Sequence, residues 1–395
     1  MKTIEIIIEC NTDPEKEKKI TELGVVKYRL PMINSYVIEI PEAKLKSLHD
    51  IEQIEAIYKT SQITAQMNTA RKIVNADKAQ ECGLSGRGVT IAILDTGASL
   101  VNDLCLPRNR IIAFKDIVGG KSEPYDDNGH GTHVAGIAAG NGMNSSGKYM
   151  GIAPEANLVI IKVLNEEGQG SSSAVLAGIQ WMLDNKENYN IKIANLSVGT
   201  PDVGSRDPLI VAVEKAWDMG IVINIAAGNN GPNKTTITSP GISKKIITVG
   251  ASDDDISVNI WGNSLVNFSG RGPTSECIIK PEILAPGANI ISCLSNTPNI
   301  KRTRADESII EKKYLSLSGT SMATPIVSGA VALLLEKYPF LSPDDVKLML
   351  KRSATNLNYP KNHQGWGLLN IEKLVNMEVS YARKQNIRNS SNDSK

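Results

Sequence analysis

The sequence carries almost no net charge. Its 43 lysine and arginine residues balance 42 aspartate and glutamate residues, which leaves a formal charge of +1 at pH 7. A protein that binds nucleic acid or an anionic membrane through charge needs an excess of basic residues, so neither partner is indicated. The composition is also not that of a disordered or fibrous protein, because 41% of the residues are hydrophobic and can fill a core.

Long hydrophobic runs are missing as well. No stretch reaches the roughly 18 consecutive apolar residues that a membrane-spanning helix needs. The apolar segment Ile4–Ile8 is interrupted by Glu5 and followed by charged residues, so it lacks the longer apolar core of a secretory signal. We therefore expect a cytoplasmic protein with no membrane partner, and export by an unrecognised route is the alternative.

Cysteine is scarce and unpatterned. The cysteines are odd in number, widely scattered and without CxxC spacing, which argues against a disulfide framework; they are Cys10, Cys82, Cys105, Cys277 and Cys293. Thiols in a reducing compartment are the simpler interpretation, which agrees with a cytoplasmic location.

Residues 1–63 have a pattern of their own. Strand-like segments at 3–10, 25–30, 35–40 and 51–58 are joined by helix-like segments at 13–23 and 41–49. This β-α-β-β-α-β order predicts a small α+β domain of the ferredoxin-like type. The polar stretch Thr60–Asn75 is predicted to be a linker without regular structure.

From Val89 onward the pattern changes to that of an α/β domain, which we assign to residues 64–380. Nearly continuous apolar strands alternate with helix-like segments; the strands are at 89–95, 157–164, 191–199, 220–228 and 244–252, and the helices at 172–184 and 208–219. The alternation predicts a doubly wound, mostly parallel sheet, in which sites form at the carboxyl ends of the strands. Residues 381–395 are polar and are predicted to be a tail.

Three segments contain polar residues that an α/β core does not need for packing. Asp95 ends a buried strand, where a carboxylate requires a partner such as a histidine because an unpaired buried charge is costly. His130 stands at the start of an alanine- and glycine-rich helix, and His133 lies one turn further on. Ser321 begins another apolar helix, whose dipole stabilises negative charge at that end.

Each of these residues also has an ordinary structural interpretation. Asp95 could cap the following turn, and Ser321 could be a plain helix N-cap. Spacing alone does not decide which histidine is the base, and it excludes neither Asp126 nor Asp127 as the partner of that base. A His-x-x-His metal pair is the rival interpretation of the two histidines, but no third ligand lies nearby in the sequence.

Taken together, the three residues follow the order Asp, His, Ser, which is a known chain order of the catalytic triad. The motifs DTG at Asp95, HGTHVAG at His130 and GTSMATP at Ser321 resemble the three signature blocks of the subtilisin-like serine proteases, the subtilases of the peptidase S8 family. The resemblance covers about Ala70–Asn370. The segment SSGKYMGIAPEANLVIIKVL is most similar to the intracellular, alkaline-protease-like branch.

The resemblance implies a serine endopeptidase that hydrolyses peptide bonds through an acyl-enzyme and requires no cofactor. It implies that Asp95, His130 and Ser321 are catalytic, since the first histidine of HGTH is the base in this family. The sequence AAGNNG matches the oxyanion block of the family, so Asn229 is implied as a donor to the oxyanion. By itself, Asn229 would be interpreted as a turn residue between glycines.

Peptide substrates of the family pair with exposed backbone edges. The positions that match these edges and the adjoining pocket are Gly168, Gly170, Ser197, Val198, Gly199, Ala227 and Gly228. The pocket for the P1 residue, which precedes the cleaved bond, is expected between 197–200, 226–228 and 238–241. These segments contribute no obvious carboxylate, so we predict a preference for apolar or medium-sized P1 residues.

Subtilisin-like enzymes carry an N-terminal propeptide of the βαββαβ type, and residues 1–63 match it in length and strand order. The resemblance implies a zymogen whose pro-domain acts as an intramolecular inhibitor and is removed by autocatalytic cleavage, here within Gln62–Met67. A generic regulatory domain is the alternative for this segment. For the whole protein, the alternatives are a dedicated processing protease for a single precursor and a pseudoprotease that only binds peptides.

Calcium binds to many members of the family, often in a loop shortly after the histidine helix. Here that loop, Gly140–Met150, is rich in glycine and serine and offers only the side-chain amides of Asn141 and Asn144. The loop departs from the pattern of the family, so the resemblance leaves open whether a structural calcium ion binds. A weaker or different calcium site is the alternative, and we assign no residue as a metal ligand.

Overall fold

The computed structural model describes residues 3–10, 14–30, 35–50, 54, 56–59, 67–200, 207–260, 263–296 and 309–378. The chain divides into two units, Met1–Thr64 and Ala65–Lys395. Most of the predicted cleavage segment and the whole predicted tail lie outside the described residues. Within the described ranges, no helix has the length and apolar character needed to cross a membrane.

The first unit is built around a four-stranded antiparallel sheet. Its elements are β1 Thr3–Glu9, α1 Pro14–Leu23, β2 Val25–Leu30, β3 Ser35–Pro41, a 3₁₀ helix Glu42–Asp50 and β4 Ala56–Lys59, and the strand order is β2-β3-β1-β4. Alternate residues of β1 and β3 face a small core, because side chains alternate across a strand. The second predicted helix is a 3₁₀ helix, and the regular part of the last strand begins at Ala56.

The second unit contains the remaining elements. These are α2 Met67–Ile73, α3 Ala76–Glu81, β5 Thr90–Asp95, α4 Asn102–Cys105, β6 Ile111–Asp116, α5 His130–Ala139, a 3₁₀ helix Met143–Ser145, β7 Asn157–Lys162, α6 Ser172–Asp184, β8 Ile191–Leu196, α7 Pro208–Asp218, β9 Val222–Ala226, β10 Ile247–Ala251, β11 Val258–Ile260, β12 Asn263–Leu265, β13 Ile283–Ala285, β14 Ile290–Cys293, β15 Ile309–Ile310, β16 Tyr314–Leu317, α8 Thr320–Lys337, α9 Pro343–Ser353, α10 Lys361–Gln364 and α11 Ile371–Asn376.

A seven-stranded parallel sheet is the centre of this unit, with the order β13-β10-β9-β8-β5-β7-β6. Every residue of β5, β9 and β10 is buried, which explains why these strands are continuous apolar runs in the sequence. The chain leaves β5 towards β7 and β6 on one side and later returns to β8 on the other. The carboxyl end of β5 is therefore a topological switch point, where α/β proteins form their sites. The predicted α/β fold is confirmed.

Two helices of the second unit pack closely against each other and against the sheet. They are α5 and α8, and both use glycine where the contact is tightest. A Cβ on Gly131 of α5 would lie 3.2 Å from the Cβ of Asp95 on β5, and a Cβ on Gly329 of α8 would lie 3.0 Å from the backbone carbonyl of Ala138 on α5. These glycines let the two helix starts, at His130 and Thr320, reach the same edge of the sheet.

The prediction of an irregular linker over Thr60–Asn75 is wrong for its second half, because Met67–Ile73 forms the helix α2. The reason is Arg71, which is buried although its charge suggested exposure. Its guanidinium bonds the backbone carbonyl of Gly151 and the carboxylate of Asp77 at 2.6 Å. The other buried residue of α2 among the described side chains is Ala70, so the helix has little apolar periodicity and the sequence pattern did not indicate it.

Candidate active site

The carboxyl end of β5 and the start of α5 bring Asp95 and His130 into contact. The Nδ1 atom of His130 lies 2.7 Å from Oδ1 of Asp95, and both side chains are buried. The same carboxylate oxygen accepts the backbone N–H of Thr96 at 2.7 Å. With Nδ1 bonded to the carboxylate, Nε2 is the imidazole nitrogen on the other side of the ring from Asp95.

The start of α5 is held by the carboxylate of Asp126, which is fully buried. One oxygen accepts the backbone N–H of Gly129 at 2.7 Å, and the other accepts the N–H of Thr132 at 2.8 Å. The hydroxyl of Thr96 also donates to Asp126, at 2.9 Å. Asp126 therefore satisfies orphan N–H groups at the helix terminus and connects His130 to the end of β5.

These contacts bear on the alternatives that spacing left open. Asp126 is used at the helix terminus, and Asp127 pairs with Lys162 at 2.8 Å, so the partner of His130 is Asp95. His133 is fully buried, and its Nε2 lies 3.0 Å and 2.9 Å from two backbone carbonyls on β14 and β16. A ring nitrogen placed between two carbonyl oxygens donates a hydrogen bond, so the geometry does not support a His-x-x-His metal pair.

Ser321 lies in the first turn of α8, after Gly319, whose φ of 143° favours glycine. Ser321 and His130 line the same cleft. Among the described residues, the Ser321 hydroxyl makes only a long contact of 3.4 Å to the carbonyl of Ser197, and the Ser197 hydroxyl donates to the Ser321 carbonyl at 3.0 Å. The first turn of α8 is thus fixed through its backbone, and the hydroxyl is left available.

A chain of buried polar side chains extends this fixation into the sheet. Asn195 on β8 donates to the Ser197 hydroxyl at 3.2 Å and accepts from the hydroxyl of Ser328 on α8 at 2.9 Å. Asn224 on β9 donates to the same Ser328 hydroxyl at 3.2 Å. None of these residues belongs to the predicted site, although an asparagine in each of two apolar strands and a serine in an apolar helix are visible in the sequence.

Asn229 is oriented by Thr320. Its side-chain oxygen accepts the backbone N–H of Thr320 at 2.9 Å and the Thr320 hydroxyl at 3.0 Å. The amide nitrogen is therefore on the opposite side, as a donor at the cleft that Asn229 and Ser321 both line. A Cβ on Gly319 would lie 3.1 Å from that nitrogen, so glycine keeps the donor accessible.

We expect Asn229→Ala to lower kcat by about 10²–10³, the loss known for the corresponding change in subtilisin, because an oxyanion donor acts only in the transition state. The KM for a peptide substrate should change little. Asn230 lines the same cleft, and Asn230→Ala is the control that should keep kcat. Steady-state kinetics of both variants measure this difference in kcat. If Asn229→Ala changes KM alone, Asn229 is not an oxyanion donor.

The cleft has a volume of about 540 Å³. It is lined by most residues of the predicted set, which are His130, Gly168, Gly170, Ser197, Val198, Gly199, Gly228, Asn229 and Ser321. Ala227 differs from the prediction, because its side chain is fully buried and its neighbour Ala226 lines the cleft instead. The Ala227 backbone is occupied by bonds to Val249 and Thr238.

Two backbone edges border the cleft. Within the described part of the chain, Val198, Gly199 and Gly170 make no backbone hydrogen bond, so their N–H and C=O groups can pair with an extended peptide. A Cβ on Gly170 would lie 2.4 Å from a backbone carbonyl, and one on Gly199 would lie 2.3 Å from the hydroxyl of Thr238. Glycine is therefore required at both edges for packing as well as for access.

Comparison with known proteins agrees with this geometry. The profile of the subtilase family (peptidase S8) matches residues 86–367. The chain is 42% identical over 372 residues to the serine protease AprX of Bacillus subtilis, covering 91% of this chain and 82% of that protein. It is 37% identical over 304 residues to subtilisin DY of Bacillus licheniformis, covering 76% of this chain and 95% of that protein.

The chain is a subtilase. A third relative is the thermostable alkaline protease of Halalkalibacterium halodurans, which is 32% identical and covers 84% of this chain and 80% of that protein. The subtilase is therefore a serine endopeptidase, and its chemistry requires no cofactor.

The loop that holds calcium in many subtilases does not fit a calcium ion here. Asp103 is the nearest buried carboxylate, but its two oxygens accept the N–H of Asn144 at 2.9 Å and the hydroxyl of Tyr314 at 2.8 Å. The side-chain oxygen of Asn141 accepts a backbone N–H at 3.0 Å, and that of Asn144 accepts an amide of a neighbouring side chain at 3.0 Å. In addition, the buried guanidinium of Arg110 bonds two backbone carbonyls beside this loop. Oxygens that already accept hydrogen bonds, next to a buried cation, are poor calcium ligands.

The pKa of one buried carboxyl of the subtilase, Asp253, is raised above its ordinary value. Burial raises the pKa of Asp253 to about 6, although one oxygen accepts the backbone N–H groups of Gly287 and Ala288. The other oxygen is buried without a hydrogen-bond partner among the described residues. Gly287 in turn accepts the N–H of Gly319, so Asp253 supports the loop before Ser321.

We expect the shifted pKa of Asp253 to make the free energy of unfolding depend on pH. Because the folded state binds this proton more tightly than the unfolded state, stability falls as the pH rises from about 4 to about 6. In Asp253→Asn this loss is absent, so the variant should gain up to about 3 kcal/mol relative to its parent between pH 4 and pH 8. Denaturant unfolding of Asp253→Asn and its parent, both in an inactive Ser321→Ala background, measures the difference in the free energy of unfolding at each pH. A difference that is independent of pH would contradict the expectation.

Proposed function

We propose that the subtilase cleaves peptide bonds with Asp95, His130 and Ser321 as its catalytic triad. The observation that carries this proposal is the buried 2.7 Å contact between His130 Nδ1 and Asp95, in a cleft that His130 shares with Ser321. Asp95 holds the imidazole in the tautomer whose Nε2 accepts a proton. His130 then takes the proton of Ser321 as its Oγ attacks the carbonyl carbon, and returns it to the leaving amine. Water then attacks the acyl-enzyme in the same way, with His130 taking the proton of the water and returning it to the Ser321 oxygen.

We propose two donors for the negative charge that develops on the carbonyl oxygen. One is the amide nitrogen of Asn229, oriented by Thr320 as described above. The other is the backbone N–H of Ser321 in the first turn of α8, where the positive end of the helix dipole adds to it. Neither donor has to rearrange during the reaction.

The substrate is proposed to lie extended between the edges at Gly170 and Val198–Gly199. The P1 pocket is bounded by Gly199 and Gly228 with Thr238 between them, because a Cβ on Gly228 would lie 2.7 Å from Cγ2 of Thr238. The cleft also contains the apolar side chains of Leu164, Val175, Val198 and Leu209, beside polar ones that include Glu167 and Gln169. A pocket narrowed by a threonine methyl favours apolar or medium-sized P1 residues.

We further propose that the first unit is a pro-domain that the enzyme removes from itself and that then remains bound as an inhibitor. Support comes from the family, from the separate core of Met1–Thr64 and from its β2-β3-β1-β4 sheet. A cytoplasmic location is proposed as well, supported by the free thiols of Cys82, Cys105, Cys277 and Cys293.

Purification of wild type and Ser321→Ala side by side tests both parts of this proposal. Wild type should appear as two fragments, the larger beginning at about residue 63–68, whereas Ser321→Ala should remain one chain of 395 residues. Intact-mass and N-terminal analysis distinguish the two. Clipping of Ser321→Ala at the same place and rate would show that contaminating proteases cut an exposed linker. If the wild type stays intact and fully active, the first unit is not an inhibitory pro-domain.

A further inference from the structure

Lys162 is a charged residue that the mechanism above does not use. It ends β7, it is 1% exposed, and it is the register partner of Asp95 on the neighbouring strand β5. The preceding residues of β7, from Leu158 on, are buried and apolar. An ammonium in such surroundings is costly unless its charge and its hydrogens are compensated.

Three oxygens compensate the Lys162 ammonium. Its Nζ donates to the carbonyl of Leu164 at 2.7 Å, to the carbonyl of Thr96 at 2.8 Å and to the carboxylate of Asp127 at 2.8 Å. An ammonium group has three hydrogens, so every donor is used. The ring of Tyr125, centred 5.2 Å away, covers the group further.

Each of these oxygens belongs to a segment that forms a different part of the cleft. Thr96 follows Asp95, and its own N–H donates to the Asp95 carboxylate. Asp127 lies three residues before His130. Leu164 lines the cleft and begins the segment that leads to the substrate edge. One side chain thus ties together the end of β5, the loop before α5 and the segment after β7.

Stability alone gives little reason for a charge at this place. Well-packed apolar residues in place of a buried ion pair are often as stable or more stable. What an apolar residue cannot do is hold three separate segments at fixed hydrogen-bond distances from one point. The lysine at this position is therefore explained by the hydrogen bonds that its ammonium makes to three segments.

We propose that Lys162 is a positioning residue, which holds the segments carrying Asp95 and His130 in the arrangement that proton transfer requires. This inference rests on the triad assignment made above. Lys162 touches neither the substrate nor the reacting atoms. A shift of about 1 Å in a reacting group costs on the order of 10² in rate, so loss of the tether should affect kcat much more than KM.

Lys162→Met, which keeps the length of the side chain, is expected to lower kcat per titrated active site by about 10² and to change KM less than about threefold. Lys280→Met is the matched control. Lys280 is also fully buried, and its Nζ bonds Glu282 at 2.7 Å and Thr248 at 3.0 Å, but it lies at the amino-terminal end of β10. Its replacement should lower the melting temperature and leave kcat within about threefold.

A second pair of variants changes Asp127, one of the three partners of Lys162. This test does not depend on the folding of Lys162→Met. The side chain of Asp127 is 27% exposed, so its replacement disturbs the core little. Asp127→Ala removes one oxygen from Lys162 and should lower kcat several-fold at constant KM. Asp127→Asn keeps an oxygen for the ammonium and should restore kcat to near the wild-type value.

The inference is overturned if Lys162→Met folds and keeps the wild-type kcat, if Asp127→Ala is as active as wild type, or if Lys280→Met loses as much kcat as Lys162→Met. His130→Ala separates this result from the underlying assignment. If His130→Ala is active, the triad assignment itself is wrong. If His130→Ala is inactive while Lys162→Met has normal kcat, only the positioning role fails.

Discussion

Ser321→Ala and His130→Ala are each expected to abolish peptidase activity, with kcat lowered by about 10⁶, the loss known for the corresponding residues of subtilisin. The physical reason is that the two residues act as one unit: without the hydroxyl there is no nucleophile, and without the imidazole nothing takes its proton. The double variant should therefore be no worse than either single one. Hydrolysis of a chromogenic peptide, with the fold checked by circular dichroism, measures the effect.

His133→Ala is the matched control for this result. His133 lies one turn from His130 on the same helix, and its ring is used to bond two strand carbonyls. Its loss removes a buried hydrogen bond to those carbonyls and should lower stability by about 1–3 kcal/mol, with substantial activity retained in the folded fraction. An inactive but well-folded His133→Ala, together with an active His130→Ala, would reverse the assignment of the two histidines.

The sequence was sufficient for the fold class because the strands of the central sheet are buried on both faces. A strand such as β5 then has to be a continuous apolar run, and such runs are visible without an alignment. Helices α6 and α7 were visible too, because each has an apolar face and α7 begins at a proline. The short strands β11–β16 were not, since two to four residues carry too little pattern.

For the candidate site, sequence patterns located the residues that the family motifs contain, and their roles stay predictions. The residues that support the site could not be predicted from the sequence, because each acts through a contact that forms only in the folded structure. Asp126 bonds backbone N–H groups at a helix start, and nothing in its sequence neighbourhood distinguishes it from Asp127. Lys162 falls inside the predicted strand 157–164, and nothing in its sequence neighbourhood shows which groups its ammonium bonds. Only the register of β5 with β7 shows that it lies beside Asp95.

The same contacts predict the effect of changing Asp95 itself. Its Oδ1 accepts hydrogen bonds from Thr96 N–H and from His130, while Oδ2 is buried without a partner among the described residues. In Asp95→Asn the amide oxygen should therefore take the Oδ1 position, because an NH₂ group there would oppose the N–H of Thr96. The histidine tautomer is then kept, but the negative charge that stabilises the imidazolium in the transition state is lost.

We expect Asp95→Asn to lower kcat by up to about 10⁴, which is an upper limit because in the serine protease where that loss is known the histidine also takes the wrong tautomer, and KM should change little. This factor corresponds to about 5.5 kcal/mol of transition-state stabilisation. Asp253→Asn is the control, since it neutralises another buried carboxylate of the same unit and retains an oxygen for both of its N–H donors. It should keep kcat within about threefold. If Asp95→Asn loses less than tenfold in kcat, charge on Asp95 is not what His130 needs, and its role reduces to orienting the ring.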